Sequence, residues 1–385
     1  MNRCIVHVGM PKTGTTSIQE TLFFGLDDPR FTYVSGGDLN AARAILLLCT
    51  QRVPQAHLFG ASGRDPAYRE RRRRAYARKI EAGLRRARDR GLQPVLSAEF
   101  CWKMSEAELR GLRSLLDGEG FEVQVVAYVR LWKEWIESNY QQRCLTACMY
   151  GSPPWNVDFA PAFPCELDYR ERIETLDRVF GRGNVLVRKF DRRDFPDGDA
   201  VRDFCRQVGI SIPGSRIRRA NESLSLAATK LLAAYGRFSN REAAGGHLCR
   251  WQHGWLSRRL QELRGPSLRL HSSLVSPLVE PLLPQLDWLE ERLGSSMRED
   301  LRAHDDDGDC IRDDEDLLSF GEESLRWLAG HVGADVPEAA HGEEAARQVG
   351  ELVHHLRHRF PGVAILGRSV RAAAERTWVR WTKER

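Results

Sequence analysis

The chain has 385 residues, of which 42% are apolar and 29% charged, and its formal net charge is +5. No apolar run approaches the roughly 20 residues that a membrane crossing needs, no leader-like segment precedes the first strand pattern, and the charge is too small to indicate nucleic-acid binding. The nine cysteines show no framework spacing, so we expect reduced thiols in a cytoplasmic protein.

The first half of the chain alternates strand and helix patterns. Apolar strands are predicted at 4–8, 93–100, 121–130 and 184–190. Helices are predicted at 15–26, 68–90, 105–116, 131–145 and 167–181. Because strands separated by helices need crossover connections, this order predicts an α/β protein with a parallel sheet and helices on both of its faces.

Beyond about residue 199 the pattern is mainly helical, and an acidic run interrupts it. Helices are predicted at 199–209, 222–237, 250–264, 274–293, 317–330 and 343–382. The run at 301–316 lacks the glycine and the final glutamate of a calcium loop, so we interpret it as a mobile surface loop. We therefore predict a domain at 1–300, with the α/β core in about 1–200 and a helical part in about 200–300. The loop at 301–316 and a helical appendage at 317–385 follow it.

Basic residues cluster in two places. The segment 64–90 is rich in arginine, which is typical of a solvated helix face and, less often, of a surface that attracts an anionic partner. The last residues are basic and contain Trp378 and Trp381, which suggests weak association with an acidic membrane surface. His354 and His358 share one helix face but have no third zinc ligand nearby, so a basic surface helix is the better interpretation.

The turn between the first strand and the first helix carries the chemical signal. In VGMPKTGTTS, Gly9 and Gly14 have the spacing of a phosphate-binding loop, and Thr16 supplies its hydroxyl. Thr15 stands where a nucleotide triphosphatase has its lysine, and Lys12 lies inside the loop instead. Backbone N–H groups and the start of a helix form an anion cradle here. The alternative is a polar turn without a ligand.

The position of Lys12 narrows the chemistry. A lysine after the second glycine would lie beside the β- and γ-phosphates of a triphosphate that is bound with magnesium. At the tip of the loop it can instead neutralise charge that develops on the atom linking a bound 5′-phosphate to the group being transferred. Such a site needs no metal.

The segment PKTGTTSIQ resembles the 5′-phosphosulfate loop of sulfotransferases that use 3′-phosphoadenosine 5′-phosphosulfate (PAPS). That family also holds the 3′-phosphate with an arginine at a strand end and a serine eight residues later, and Arg130 and Ser138 have this spacing. The resemblance is to the bacterial and carbohydrate-type enzymes. It implies a P-loop-like fold and adenosine 3′,5′-bisphosphate as product. The residues implied to bind the cosubstrate are Lys12, Thr13, Gly14, Thr15, Thr16, Ser17, Arg130 and Ser138.

A base for the acceptor hydroxyl is expected at the carboxyl end of a neighbouring strand. Glu99 ends the strand pattern PVLSAE, and parallel strands open onto one crevice at that end. The alternative for Glu99 is a carboxylate that merely pairs with Lys12 or a helix start. His7 and His57 are rival bases, although alternation along the first strand favours a buried, hydrogen-bonded His7. Trp102 could stack on a sugar ring, whereas Trp132 and Trp135 are expected in the core.

The sequence thus predicts a PAPS-dependent sulfotransferase that acts on a hydroxyl of a small molecule, carbohydrate or glycoconjugate. Lys12 and Glu99 are the predicted catalytic residues, and no nucleic-acid partner is expected. Two alternatives stay open at this point: a P-loop small-molecule kinase and a catalytically silent nucleotide-binding protein. The sequence does not identify the acceptor, because acceptor pockets are built by loops that have no readable code.

Overall fold

The computed structural model describes residues 2–49, 65–150, 164–220, 223–239, 247–337 and 340–359. The strands are β1 (Asn2–Gly9), β2 (Phe31–Tyr33), β3 (Gln93–Ser97), β4 (Phe121–Val129), β5 (Val185–Lys189), β6 (Arg269–Leu270) and β7 (Cys310–Ile311). The helices are α1 (Thr15–Gly25), α2 (Ala42–Cys49), α3 (Pro66–Asp89), α4 (Glu106–Gly118), α5 (Trp132–Tyr150), α6 (Pro164–Leu167), α7 (Tyr169–Phe180), α8 (Ala200–Val208), α9 (Leu226–Ala234), α10 (His247–Leu260), α11 (Ser272–Val279), α12 (Leu286–Leu293), α13 (Asp314–Leu317), α14 (Glu322–Val332) and α15 (Gly342–His358).

Strands β1 to β5 form one sheet in the order β2-β3-β1-β4-β5. Every pairing in it is parallel, and the central strand β1 aligns Ile5 with Val95 of β3 and with Gln124 of β4. The predicted α/β parallel sheet is confirmed. Strand β2 and helix α2 were not predicted, because three residues are too few to show a strand period and α2 is apolar on most of its surface.

Helices cover both faces of this sheet. On one face, Ile18 of α1 and Phe204 of α8 pack in a buried cluster with Ile5 and Tyr128. On the opposite face, α4 and α7 contact β4. Burial on both sides explains why β4 is apolar almost throughout its length, since neither set of alternating side chains meets water.

The chain divides into two compact units that interleave along the sequence. The first comprises Met1–Trp132, Pro161–Asn221 and Pro281–Glu299, and it contains the five-stranded sheet. The second comprises Lys133–Ala160, Glu222–Glu280 and Asp300–Arg385. The boundaries predicted at 300 and 316 stay predictions.

The second unit is mainly helical, as predicted, and contains one small sheet that the sequence pattern did not show. Its strands β6 and β7 are two residues each and pair in parallel. The acidic run is attached to this unit, since Asp305 accepts hydrogen bonds from the backbone N–H and the hydroxyl of Ser272. The amine of Lys133 also donates to the carbonyl oxygen of Leu301. The run is therefore anchored by hydrogen bonds, and it is not a loop throughout, because β7 and the start of α13 lie within 301–316.

Helix α15 packs against α9 and α14 in the second unit. The part of the predicted helix beyond 359, with Trp378 and Trp381, lies outside the described residues. On α15, His355 and His358 are exposed, whereas the neighbouring Arg357 is buried and donates to the hydroxyl of Tyr235. Within the described ranges, no helix combines the length and the apolar character that crossing a bilayer requires.

Candidate functional site

The turn between β1 and α1 depends on two glycines with left-handed backbones. Gly9 has a φ of +100° and Gly14 a φ of +77°. A Cβ atom on Gly9 would lie 3.0 Å from the carbonyl oxygen of Glu99, and one on Gly14 would lie 3.0 Å from the Cβ of Ala200. Any other residue would be strained at these positions, so the glycines let the turn pass close to Glu99 and α8.

The hydroxyls predicted to face an anion mostly bond within the protein. Thr13 donates to the carbonyl oxygen of Met10 at 2.6 Å, which closes the loop on itself. The Ser17 hydroxyl accepts from the N–H of Ala220 at 3.0 Å and donates to its carbonyl oxygen at 3.3 Å. These bonds rigidify the loop and attach a neighbouring segment to α1. A role for Thr13, Thr16 or Ser17 in binding an anion stays a prediction.

Lys12 and Arg130 bring two cations to the loop. Lys12 adopts a left-handed backbone with a φ of +72°, at the tip of the turn. Arg130 follows the end of β4, next to β1 in the sheet, and its guanidinium donates a long hydrogen bond of 3.5 Å to the carbonyl oxygen of Lys12. Burial lowers the pKa of Lys12, the Glu99 carboxylate raises it, and the Arg130 charge lowers it further. The structure therefore brings these three predicted site residues together.

Glu99 begins a short 3₁₀ helix at Glu99–Lys103, which follows β3 after one intervening residue. Thr15 donates its hydroxyl to Oε2 of Glu99 at 2.5 Å, and the carboxamide of Asn40 donates to Oε1 at 3.4 Å. Both carboxylate oxygens are thus held by neighbours from other elements. A carboxylate that only neutralises Lys12 and a base beside the loop would each show this arrangement, so the catalytic role of Glu99 stays a proposal.

Asn40, which the sequence analysis did not single out, contacts the candidate site residue Glu99. Its carboxamide oxygen accepts a hydrogen bond of 2.8 Å from the N–H of Ala42, at the start of α2. The local signal for this was present, since an asparagine followed by the apolar run AARAILLL is typical of a helix start. The contact with Glu99 was not predictable, because 59 residues separate the two positions.

His7 is a core residue. It is fully buried, its Nδ1 lies 2.8 Å from the hydroxyl oxygen of Ser97, and its ring packs against Phe204. Burial lowers its pKa to about 3, so the imidazole is neutral near pH 7. This agrees with the hydrogen-bonded core interpretation and argues against His7 as the base. His57 lies outside the described residues.

The tryptophan predictions are resolved by burial. Trp102 is 2% exposed, and its indole N–H donates to the carbonyl oxygen of Glu166. The proposed sugar platform at Trp102 is therefore wrong, because the ring is covered by protein. Trp132 and Trp135 are buried as expected, and Trp132 stacks on Tyr169 at 5.6 Å between ring centroids.

Ser138 lies on α5 and is half-buried. It belongs to the second unit, whereas Arg130 belongs to the first, so their joint grip on one phosphate stays a prediction. Among the described residues, no group of three or more histidine, cysteine, aspartate or glutamate side chains is arranged to hold a metal ion.

No protein-family model matches the chain. An uncharacterised protein of Archaeoglobus fulgidus is 27% identical over 111 residues, which is 28% of this chain and 29% of that protein. The chain therefore matches less than a third of the length of this relative. A sulfotransferase crystal structure from Alicyclobacillus acidocaldarius aligns with 77% of this chain and 97% of its own, with 14% identity and a TM-score of 0.40. Because both similarities are distant, the functional conclusion rests on the residues of the site.

Proposed function

We propose that the protein is a PAPS-dependent sulfotransferase that moves the sulfuryl group to a hydroxyl of a carbohydrate or glycoconjugate acceptor. One observation carries this proposal. Lys12 lies within the loop, and its carbonyl oxygen accepts a long hydrogen bond of 3.5 Å from the guanidinium of Arg130. At the position where a kinase needs its lysine, Thr15 is instead hydrogen-bonded to Glu99.

The residues of the loop fit an anionic cosubstrate. Gly14 is the N-cap residue of helix α1 and provides no side-chain cap, and the first turn of the helix contains no acidic residue. The N–H groups at the start of a helix favour an anion, and Lys12 and Arg130 add two positive charges. In this proposal the loop binds the 5′-phosphosulfate and Arg130 binds the 3′-phosphate. Ser138 joins Arg130 in the proposal from sequence spacing alone.

Lys12 and Glu99 have complementary tasks in the transfer. The acceptor oxygen forms a new bond to sulfur while the bond between sulfur and the bridging phosphate oxygen breaks. Glu99 takes the proton of the acceptor hydroxyl, and Lys12 stabilises the negative charge that develops on the bridging oxygen. The products are a sulfate ester and adenosine 3′,5′-bisphosphate, so atoms and charge balance without a metal.

The test combines binding and transfer. Isothermal titration should detect binding of adenosine 3′,5′-bisphosphate and no comparable binding of ATP with magnesium. With ³⁵S-labelled PAPS and a panel of mono- and oligosaccharides, label should pass to an acceptor. This transfer should fall by about 10² in Glu99→Ala and Lys12→Ala. Glu122→Ala is the matched control, since Glu122 is exposed near the amino end of β4. Tighter binding of ATP than of the bisphosphate would overturn the proposal in favour of a kinase.

A second outcome is equally decisive. If the bisphosphate binds but no label moves to any acceptor in the panel, and no bisphosphate is released from PAPS, the protein is a silent nucleotide-binding protein. Glu99→Ala would then change no measured rate.

A further inference from the structure

The Glu99 carboxylate places a negative charge beside the turn between β1 and α1. A base that removes a proton from an acceptor does not have to carry such a charge. Each of the two Glu99 oxygens accepts a hydrogen bond, one from the hydroxyl of Thr15 on α1 and the other from the carboxamide of Asn40, which precedes α2. Thr15 is the first residue of α1, so the carboxylate is anchored at the same helix start that the proposed cosubstrate would use. A neutral imidazole could accept a proton without adding this charge.

The Glu99 carboxylate therefore offsets part of the positive charge around the loop. Lys12 and Arg130 contribute two positive charges, and Glu99 contributes one negative charge close to Lys12. A sulfuryl group attached to a phosphate has one negative charge, whereas a terminal phosphoryl group has up to two. Like charges repel strongly in a partly buried site. A fixed carboxylate therefore weakens the binding of a terminal phosphoryl group more than that of a sulfuryl group.

We infer that Glu99, held by Thr15 and Asn40, selects donors whose transferable group has a single negative charge. This inference rests on the proposed function and adds the chemical class of donor that the site accepts. It assigns the preference for sulfuryl over phosphoryl groups to a carboxylate of this chain. Asn40 is then a positioning residue, since it keeps the charge of Glu99 in place.

The experiment compares two ligands by isothermal titration. PAPS, titrated without an acceptor, carries a sulfuryl group with one negative charge, and adenosine 3′-phosphate 5′-diphosphate carries a terminal phosphoryl group with up to two charges in the same place. The wild-type protein should bind the diphosphate at least tenfold more weakly than PAPS. In Glu99→Gln, which keeps the shape and removes the charge, this ratio should fall by about tenfold. Glu99→Asp should retain most of the preference.

Two further variants control for structure. Glu122→Gln removes the same charge from an exposed position at the far end of β4 and should leave the ratio unchanged. Asn40→Ala leaves the carboxylate held by Thr15 alone and should lower the ratio part of the way. This variant also tests the inference should Glu99→Gln not fold.

The outcomes separate the inference from the proposed function. If PAPS binds and the preference for PAPS over the diphosphate is the same in wild type, Glu99→Gln and Asn40→Ala, Glu99 does not select the donor and the inference is overturned. If the wild-type protein binds neither ligand, the proposed function itself fails. A preference that disappears in Glu99→Gln and persists in Glu122→Gln supports the inference.

Discussion

At the scale of single residues, the chemistry depends on how burial changes ordinary side chains. Lys12 is less basic than a lysine in water, because burial and the nearby Arg130 charge lower its pKa and the Glu99 carboxylate only partly opposes this. His7 is kept neutral by complete burial in the sheet core. Each effect leads to a measurable dependence on pH.

For Lys12, the affinity for adenosine 3′,5′-bisphosphate should fall as the pH rises, starting below the ordinary lysine pKa of 10.5. Deprotonation removes a positive charge beside the ligand, and we expect a loss of about tenfold. Titration calorimetry across the alkaline range measures it. Lys12→Met should bind more weakly at neutral pH and lose this decline, and an equal decline in both proteins would assign it to another group.

For His7, the free energy of unfolding should fall as the pH falls from about 6.5 toward 3. The folded-state pKa is below the unfolded-state value, so the unfolded chain binds the proton first and the contribution is fully present only above pH 6.5. Between pH 7 and pH 5 this single group accounts for about 2 kcal/mol. Urea unfolding of wild type and His7→Gln gives the two pH slopes. Parallel slopes would show that His7 is not kept neutral by folding.

At the scale of elements, small residues decide how closely segments approach. Gly350 lies within α15, and a Cβ atom there would lie 2.8 Å from the hydroxyl oxygen of Ser239 and 3.0 Å from the carbonyl oxygen of Ala234. Gly330 lies within α14, and a Cβ atom there would have no neighbour within 4 Å. Both glycines lie within helices, but Gly350 is closely packed against its neighbours and Gly330 has open space beside it.

Gly350→Ala and Gly330→Ala should therefore change stability in opposite directions. An alanine normally favours a helix over glycine by up to about 1 kcal/mol, which is the gain expected for Gly330→Ala. For Gly350→Ala the collision with backbone exceeds this gain, and we expect a net loss of about 1 to 3 kcal/mol. Thermal unfolding followed by circular dichroism measures both, and two gains would show that the helix contact adjusts without strain.

In the turn between β1 and α1, which lies at the candidate site, small residues also decide how closely segments approach. Its glycines allow the backbone to pass beside Glu99, and the Thr15 hydroxyl then reaches the carboxylate at 2.5 Å. The contact thus depends on the backbone path as much as on the two side chains. The position of the Glu99 carboxylate beside the turn therefore depends on the left-handed backbone conformation of Gly9.

At the scale of the whole molecule, the chain is two compact units built from interleaved segments. The loop, Arg130, Glu99 and Asn40 all belong to the unit with the five-stranded sheet, so the central part of the proposed site is contained in one unit. The second unit is mainly helical and includes the anchored acidic run. The side chains of Cys4, Cys101, Cys144, Cys205 and Cys310 are buried free thiols, and Cys49 is a half-buried one.

The sequence by itself determined the parallel α/β sheet, the strand-turn-helix at Gly9 to Thr16 and the core positions of Trp132 and Trp135. These features are local, because strand periods, helix periods and glycine spacing depend only on residues that are close together in the chain. The placement of Arg130 at the end of a strand followed from the same pattern. The sequence pattern did not show β2, the pair β6–β7 or the burial of Trp102, since very short strands and long-range cover leave no periodic signal.

Only the tertiary structure decided which side chains meet. Thr15 and Glu99 are 84 residues apart and Asn40 and Glu99 are 59 apart, and their contacts arise because parallel strands bring separate turns to one edge of the sheet. The family resemblance implied that Thr15 would face an anion, whereas folding directs its hydroxyl to a carboxylate. Sequence gives the residue types, and the crossover connections of the sheet determine their partners.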